Sequence, residues 1–157
     1  MSKKGYLRLG SITAFIAFQL LFALSITPRF LRLTGGRTFL DITPLWEPQE
    51  ILNYIASLSS EARQAYTTMQ LVDTLYPLVY TSALLSFAPK KKIWIPIFLG
   101  MIFDYCENIM IGRLLAMRAG TLVPVLLPYC TVIKFSMIGI SLGLIIIYAL
   151  RRRRSAI

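Results

Sequence analysis

The chain has 157 residues, of which 56% are hydrophobic and only 15% are charged, and it contains no histidine. A water-soluble domain of this length needs more polar surface than that to cover its core, and the same apolar content excludes intrinsic disorder. The lack of histidine excludes histidine-ligated zinc, a Ser-His-Asp triad and histidine acid–base catalysis. The net charge of +10 suits either nucleic acid or an anionic membrane, so the position of the charge must decide.

Four apolar stretches follow one another along the chain, at residues 9–27, 67–88, 93–116 and 121–150. Each is near or above the roughly 20 residues that a helix needs to cross about 30 Å of hydrocarbon. Because backbone polar groups in lipid must be satisfied within their own segment, each stretch predicts a helix. The sequence therefore predicts an all-α, polytopic membrane protein: a bundle of four transmembrane helices that forms one domain over residues 1–157.

The first stretch also has features of a cleavable signal peptide, since basic residues precede it and small residues occur at 23–25. Its apolar part is longer than the roughly 7–15 residues of a signal sequence. We therefore expect it to remain in the protein as a transmembrane helix.

The basic residues cluster at the ends of the predicted spans. Ten of the 17 lie in three groups, which are Lys3, Lys4 and Arg8, then Lys90 to Lys92, then Arg151 to Arg154. An even number of crossings places all three groups on one side, and the positive-inside rule makes that side cytoplasmic. We predict cytoplasmic termini, a location in the bacterial inner membrane, membrane lipids as partners and no nucleic-acid partner.

A long outer segment, about residues 28–66, joins the first two spans. Pro48 is suited to the first turn of a helix, and the residues after it predict an amphipathic outer helix that lies in the plane of the membrane surface. Ser59 to Glu61 then predict the start of a helix that continues into the second span. The outer helix is either a lid over a cavity or an ordered loop that fills space, and its predicted apolar face comprises Ile51, Leu52, Ile55 and Leu58.

Four ionisable residues lie inside the predicted spans, where each costs on the order of 2.5–3.5 kcal/mol even on a lenient scale. Helical spacing places polar neighbours on the same faces, and the faces lie at similar depths in the membrane. We therefore predict one polar pocket inside the bundle. Its acid–base candidates are Asp104 and Glu107, and its ligand-binding candidates are Asp73, Tyr76, Tyr80, Asn108 and Lys134.

This predicted pocket supports three functional hypotheses and leaves open whether the protein is an enzyme. The first is a lipid-like amphipathic ligand that is bound or chemically converted, with Lys134 holding an anionic headgroup or pairing with a carboxylate. The second is a small, oligomeric, proton- or solute-coupled transporter, and the third is an assembly factor of a membrane complex. The structural alternative is that Lys134 pairs with Asp104 or Glu107 only to fasten helices together. Carboxylates and Asn108 would suit a hard divalent metal, but their spacing is not diagnostic, so no metal or cofactor is predicted.

Small residues supply two further predictions. Gly139 and Gly143 form a small-x-x-x-small motif that allows close helix packing, either on the first span or on another subunit of a homo-oligomer. Cys106 and Cys130 lie inside spans, where cysteines usually serve as small packing residues, so a redox role is not expected.

One pattern in the chain comprises Asp41, residues 50–66, Asp73-x-x-Tyr76-Pro77-x-x-Tyr80, Asp104-x-x-Glu107-Asn108 and Lys134. This pattern resembles that of a family of small, functionally uncharacterised four-helix membrane proteins, mostly bacterial. A weaker similarity in layout is to the EXPERA domain of the emopamil-binding and sigma-2 receptor type, through residues 78–84 and the Pro128-Tyr129 pair. That similarity implies a pocket for an amphipathic ligand, although the chain lacks histidine and differs from that family at Asp104-x-x-Glu107-Asn108.

Overall fold

A computed structural model describes residues 3–42 and 47–154, so residues 43–46 of the predicted outer segment lie outside the description. Every regular element in the described ranges is helical, which confirms the prediction of an all-α protein. Seven α-helices follow in chain order, with 3-10 turns at Leu40–Ile42 and Lys91–Ile93. They are α1 (Lys3–Leu21), α2 (Thr27–Leu33), α3 (Pro48–Ser57), α4 (Ser60–Asp73), α5 (Tyr76–Phe87), α6 (Trp94–Leu115) and α7 (Leu122–Arg154).

A π-helical turn, Phe22–Ile26, joins α1 to α2 without interrupting the helix. Proline explains this turn, because the ring nitrogen of Pro28 has no hydrogen to donate to the carbonyl four residues earlier. The backbone N–H of Thr27 instead reaches the carbonyl of Phe22, five residues back. The helical run therefore extends beyond the predicted residues 9–27 at both ends.

The second predicted span is two helices rather than one. Ser59 caps α4 as expected, its hydroxyl accepting the backbone N–H of Ala62 at 3.1 Å. The helix then ends at Asp73, and residues 74–75 separate it from α5. Pro77 supplies the reason, since it lacks the N–H that would bond to the Asp73 carbonyl. The prediction of one continuous helix from residue 60 through the second span is wrong.

Three helical segments in the described ranges are long and apolar enough to cross a bilayer, namely Gly5–Leu33, Lys91–Leu115 and Leu122–Arg152. They correspond to the first, third and fourth predicted spans. The interruption after Asp73 leaves α4 with 14 residues and α5 with 12, each too short to cross as a single helix.

Close packing of α6 on α7 depends on a glycine that no sequence motif marks. A Cβ at Gly100 would lie 3.4 Å from Ile138 Cγ1 and 3.5 Å from Met137 Cβ, so the two helices approach closely there. A Cβ at Gly139 or Gly143, by contrast, would meet no atom of another described element within 4 Å, so neither glycine packs against the first helix. The predicted intrachain role of the Gly139–Gly143 motif is therefore wrong.

The outer segment folds over one end of the bundle on an aromatic core. The rings of Phe30 and Phe39 stack with centroids 4.2 Å apart, and Tyr66 packs against both. The Tyr66 hydroxyl accepts the backbone N–H of Leu40 at 2.9 Å, and the Tyr54 hydroxyl donates to the Thr38 carbonyl at 2.7 Å. These contacts fix the position of residues 38–42.

Helix α3 begins at Pro48 and buries one face against the core, but this face differs from the predicted one. Leu52 is 42% exposed, whereas Tyr54 is buried. The reason is helical geometry, because Leu52 lies about 100° around the helix from Ile51. The buried face follows the spacing i, i+3, i+4 and i+7, with Ile51, Tyr54, Ile55 and Leu58.

Two contacts bring helix ends together at the other end of the bundle. Arg8 Nε in α1 donates to the carbonyl of Ser86 in α5 at 2.8 Å. Lys90 Nζ, in the turn after α5, lies 5.2 Å from the centre of the Tyr148 ring in α7. The start of α1, the end of α5, the start of α6 and the last turns of α7 therefore share one end of the molecule, referred to below as the basic end.

Candidate functional site

A buried charge network joins α6 to α7. Lys134 Nζ donates to Glu107 Oε2, and it lies 3.5 Å from Asp104 Oδ1. The hydroxyl of Thr131 donates to the other Glu107 oxygen, Oε1. Thr131 precedes Lys134 by three residues, so both side chains leave the same face of α7.

The network uses its two acids differently. Glu107 is 0% exposed, and both of its oxygens have partners in α7. Asp104 is the more weakly held partner of Lys134 and borders a partly open cavity, whereas Glu107 does not. Asp104 can therefore meet a ligand, while Glu107 orients the lysine.

The cavity has a volume of about 500 Å³ and lies between the first helical run, α4, α5, α6, α7 and the outer segment. Its polar lining contains three carboxyl groups and one ammonium group, and it is called the acidic cavity below. Aromatic and aliphatic side chains form the rest of the wall, among them Phe22, Phe135 and Ile138. The charged lining residues are Asp41, Asp73, Asp104 and Lys134.

Each charged group of the cavity comes from a different structural element. Asp73 is the last residue of α4, so the interruption caused by Pro77 places its side chain at a helix end inside the molecule. Asp104 comes from the middle of α6 and Lys134 from α7. Asp41 comes from the 3-10 turn of the outer segment.

Asp41 lines the cavity, although the sequence did not lead us to predict it as a ligand-binding residue. It is buried, and its Oδ1 has no hydrogen-bond partner among the described residues. The hydrogen bond from the adjoining Leu40 to Tyr66 holds the turn in place. The sequence does contain a signal, since Asp41 is a lone acid between the apolar residues Leu40 and Ile42.

Burial raises the pKa of the Asp41 carboxyl above its ordinary value of 3.8. The ammonium of Lys134 opposes this change, and the carboxyl of Asp104 adds to it. Removing a carboxylate from water disfavours the charged form, so the neutral acid is favoured here over a wider pH range than in water.

The polar wall continues through Tyr76 to the first helix. Gln19 Nε2 donates to the Tyr76 hydroxyl at 2.6 Å, and the Tyr76 ring stacks on Phe15 and Phe18. Gln19 also lines the cavity, and sequence reasoning missed it as well. The sequence does mark Gln19, because it is the one side-chain amide in the predicted span at residues 9–27.

The structure brings together four of the predicted site residues around the cavity: Asp73, Tyr76, Asp104 and Lys134. The other three are not among the residues that line it. Glu107 is enclosed behind Lys134, and Tyr80 is buried with its ring centre 5.4 Å from that of Tyr76. Asn108 borders a separate groove between α4 and α6.

The acids and the two cysteines of the described ranges are the residues that bear on metal and thiol chemistry. No three acidic or cysteine side chains there converge closely enough to hold a metal ion. Both cysteines are free, and Cys106 is exposed on the outside of α6 rather than packed inside the bundle, which corrects the expectation for that residue.

Comparison of the chain with protein-family models, curated proteins and solved structures gives no match. The function of the site therefore has to follow from its own geometry.

Replacing Lys134 by Met should destabilise the protein by about 3–5 kcal/mol, because it leaves Glu107 buried without its cation. The double variant Lys134→Met/Glu107→Leu should recover a large part of that loss, since it removes both charges. Reversible unfolding in mixed micelles measures both values. A loss below about 1 kcal/mol for the single variant would instead match an ordinary interhelical polar contact and contradict the prediction.

Replacing Asp41 by Asn should stabilise the protein increasingly as the pH rises. The pKa of Asp41 is raised above its ordinary value of 3.8 in the folded protein, so burying this carboxyl costs the wild type no stability below pH 3.8. As the pH rises through the folded-state pKa, the wild type loses stability. The asparagine variant does not titrate. The melting temperature of the variant minus that of the wild type should therefore grow as the pH rises above 3.8 and level off once Asp41 is ionised in the folded protein.

Glu61→Gln is the matched control for this pH series, because Glu61 is an exposed carboxylate at the same end of the molecule. Its melting-temperature difference from the wild type should not rise with pH. A flat difference for Asp41→Asn would show that burial does not penalise the Asp41 carboxylate.

Proposed function

We propose that the chain crosses the membrane four times, with α4 and α5 together forming an interrupted second crossing. At about 1.5 Å per residue the two helices are ~21 Å and ~18 Å long, enough in sum for ~30 Å of hydrocarbon. The contacts of Arg8 with Ser86 and of Lys90 with Tyr148 support this arrangement, since they gather the basic clusters at one end. The amphipathic outer helix α3 then lies at the opposite membrane surface.

Fusions of a topology reporter to the N-terminus, to the turn at residues 89–92 and to the C-terminus should all report the cytoplasm. The physical reason is that an even number of crossings returns the chain to the side on which its basic clusters are retained. Termini on opposite sides would indicate three crossings and would contradict the proposal.

We further propose that the protein binds a lipid-like amphipathic ligand in the acidic cavity. The observation that carries this proposal is the composition of the cavity wall, in which three carboxyl groups and a lysine adjoin aromatic and aliphatic side chains. Ligand pockets characteristically combine a mainly apolar lining with a few fixed polar groups. Ionisable groups within the membrane are expensive and usually serve a function.

The charge pattern indicates what the ligand carries at its polar end. Lys134 is held by Glu107 and Asp104, so it is not free to bind an anionic headgroup. The remaining acceptors are carboxyl oxygens of Asp41, Asp73 and Asp104. We infer a headgroup that donates hydrogen bonds, as a hydroxyl or an amine does, with its apolar part along Phe22, Phe135 and Ile138.

The two acid–base candidates take separate roles in this proposal. Asp104 contacts the ligand, since it borders the cavity and its ion pair with Lys134 is the longer of the two, at 3.5 Å. Glu107 is a positioning residue that acts through Lys134. Any proton transfer to or from a bound ligand therefore falls to Asp104 or to the other two aspartates.

Lipid identification by mass spectrometry, on protein purified in mild detergent, tests the ligand proposal. The wild type should retain a lipid-like compound that is enriched over the bulk membrane composition. Asp104→Asn should reduce its occupancy by about tenfold or more, because a hydrogen bond to a charged group contributes about 1.5–3 kcal/mol.

Glu61→Gln removes a carboxylate outside the acidic cavity and should leave the retained compound unchanged. Equal retention by Asp104→Asn and Glu61→Gln would overturn the assignment of the cavity, and so would a wild type that carries only bulk lipids.

A transporter is a second candidate, favoured by one observation. The interruption between α4 and α5 places Asp73 at a helix end on the cavity wall, and discontinuous helices form substrate sites in many transporters. A short chain of this kind would work as an oligomer, for which Gly139 and Gly143 offer a face of α7 that no other described element covers. Solute flux into liposomes distinguishes transport from binding alone.

A further inference from the structure

A second pocket, separate from the acidic cavity, lies at the basic end of the molecule. It has a volume of about 420 Å³ and lies between the start of α6 and the last turns of α7. Four of its lining residues are apolar or aromatic and three are cations. The cations are Lys90, Lys92 and Arg151.

The electrostatics of this pocket favour an anion. None of the described acids lines it, and all seven acids of the chain occur between residues 41 and 107. The two that follow the turn at 89–92, Asp104 and Glu107, pair with Lys134. The turn Lys91–Ile93 leads directly into the 22-residue α6, whose N-terminal dipole adds positive potential at this position.

The rest of the pocket favours an acyl chain. Leu144 and Ile147 form its apolar part on α7 and are exposed at 40% and 49%. Leu144 precedes Arg151 by seven residues, which corresponds to about 10 Å along the helix. Cations and aliphatic side chains therefore follow one another along the helix axis, as a phosphate and the chains of a phospholipid do.

We propose that this pocket is a specific site for an anionic phospholipid, with its phosphate between Lys90, Lys92 and Arg151 and an acyl chain on Leu144 and Ile147. Basic pockets between transmembrane helices on the cytoplasmic side are known to bind anionic headgroups. Free phosphate would use only the cations and would leave the apolar part in contact with solvent or other lipids. The site shares no lining residue with the acidic cavity, and it takes an anionic group rather than a hydrogen-bond donor.

The test measures how phosphatidylglycerol stabilises the full-length protein in dodecyl maltoside. Phosphatidylcholine with the same acyl chains and inorganic phosphate at the same ionic strength serve as parallel arms. Phosphatidylglycerol should raise the melting temperature saturably, whereas the other two additions should have little effect. Protein in micelles has no sidedness, so any effect of charge variants on membrane insertion does not enter the measurement.

The variant Lys90→Gln/Lys92→Gln/Arg151→Gln should weaken phosphatidylglycerol binding on the order of 100-fold, from about 1 kcal/mol for each cation near an anionic lipid. The matched control Arg29→Gln/Arg32→Gln/Arg118→Gln removes the same charge from exposed positions outside the pocket and should bind like the wild type. Leu144→Trp keeps every charge and fills the apolar part, so it should also weaken binding. If the triple variant does not fold, Leu144→Trp tests the proposal on its own.

Three results with the lipids and the charge variants would overturn the proposal, and a fourth concerns Leu144→Trp. The three are equal stabilisation by phosphatidylcholine, equal stabilisation by inorganic phosphate, and equal loss of binding in the pocket and control variants, which would indicate attraction by net charge alone. Wild-type binding by Leu144→Trp would show that no acyl chain occupies the pocket and would overturn it as well. Because none of these variants touches the acidic cavity, their outcome is separable from that of Asp104→Asn.

Discussion

The ion pair between the buried ammonium of Lys134 and Glu107 is the interaction on which the arrangement of α6 and α7 depends. A cation in this position is expensive to remove from water, and the carboxylates of Glu107 and Asp104 compensate it, while Thr131 donates a hydrogen bond to Glu107. The pairing fixes α6 against α7 at points one and two turns beyond Gly100, where the helices are in close contact. It also fully occupies Glu107, so Asp104 is left as the acid of α6 that faces the cavity.

Proline is the second constraint, and it acts twice. Pro28 widens the first helical run into a π-helical turn without breaking it. Pro77 ends α4 at Asp73, and α5 begins at Tyr76. The two prolines therefore have different effects. Helix α2 continues the helical run of α1 through a π-type hydrogen bond, whereas residues 74–75 separate α4 from α5. That separation supplies the cavity with an acid at a helix end.

The two ends of the molecule differ in chemical character. At one end the aromatic core of Phe30, Phe39 and Tyr66 holds the outer segment so that Asp41 reaches the acidic cavity. At the other end basic side chains and the start of α6 form a pocket that none of the described acids lines. The net charge of +10 therefore conceals a separation of charge along the membrane normal of the proposed four-crossing arrangement.

Local sequence determined the helical class, the bounds of α6 and the start of α3 at Pro48, because apolar length and proline chemistry act within a few residues. Helical phase also identified Asp73, Tyr76, Asp104 and Lys134 as a group, since their faces follow from spacing alone. Only the tertiary structure decided which acid pairs with Lys134, which one lines the cavity, and that Asp41 joins them. Those outcomes depend on contacts between residues far apart in the chain: the α6–α7 approach at Gly100 and the hydrogen bond from Leu40 to Tyr66. A periodic pattern in one helix carries no information about which partner its polar face meets.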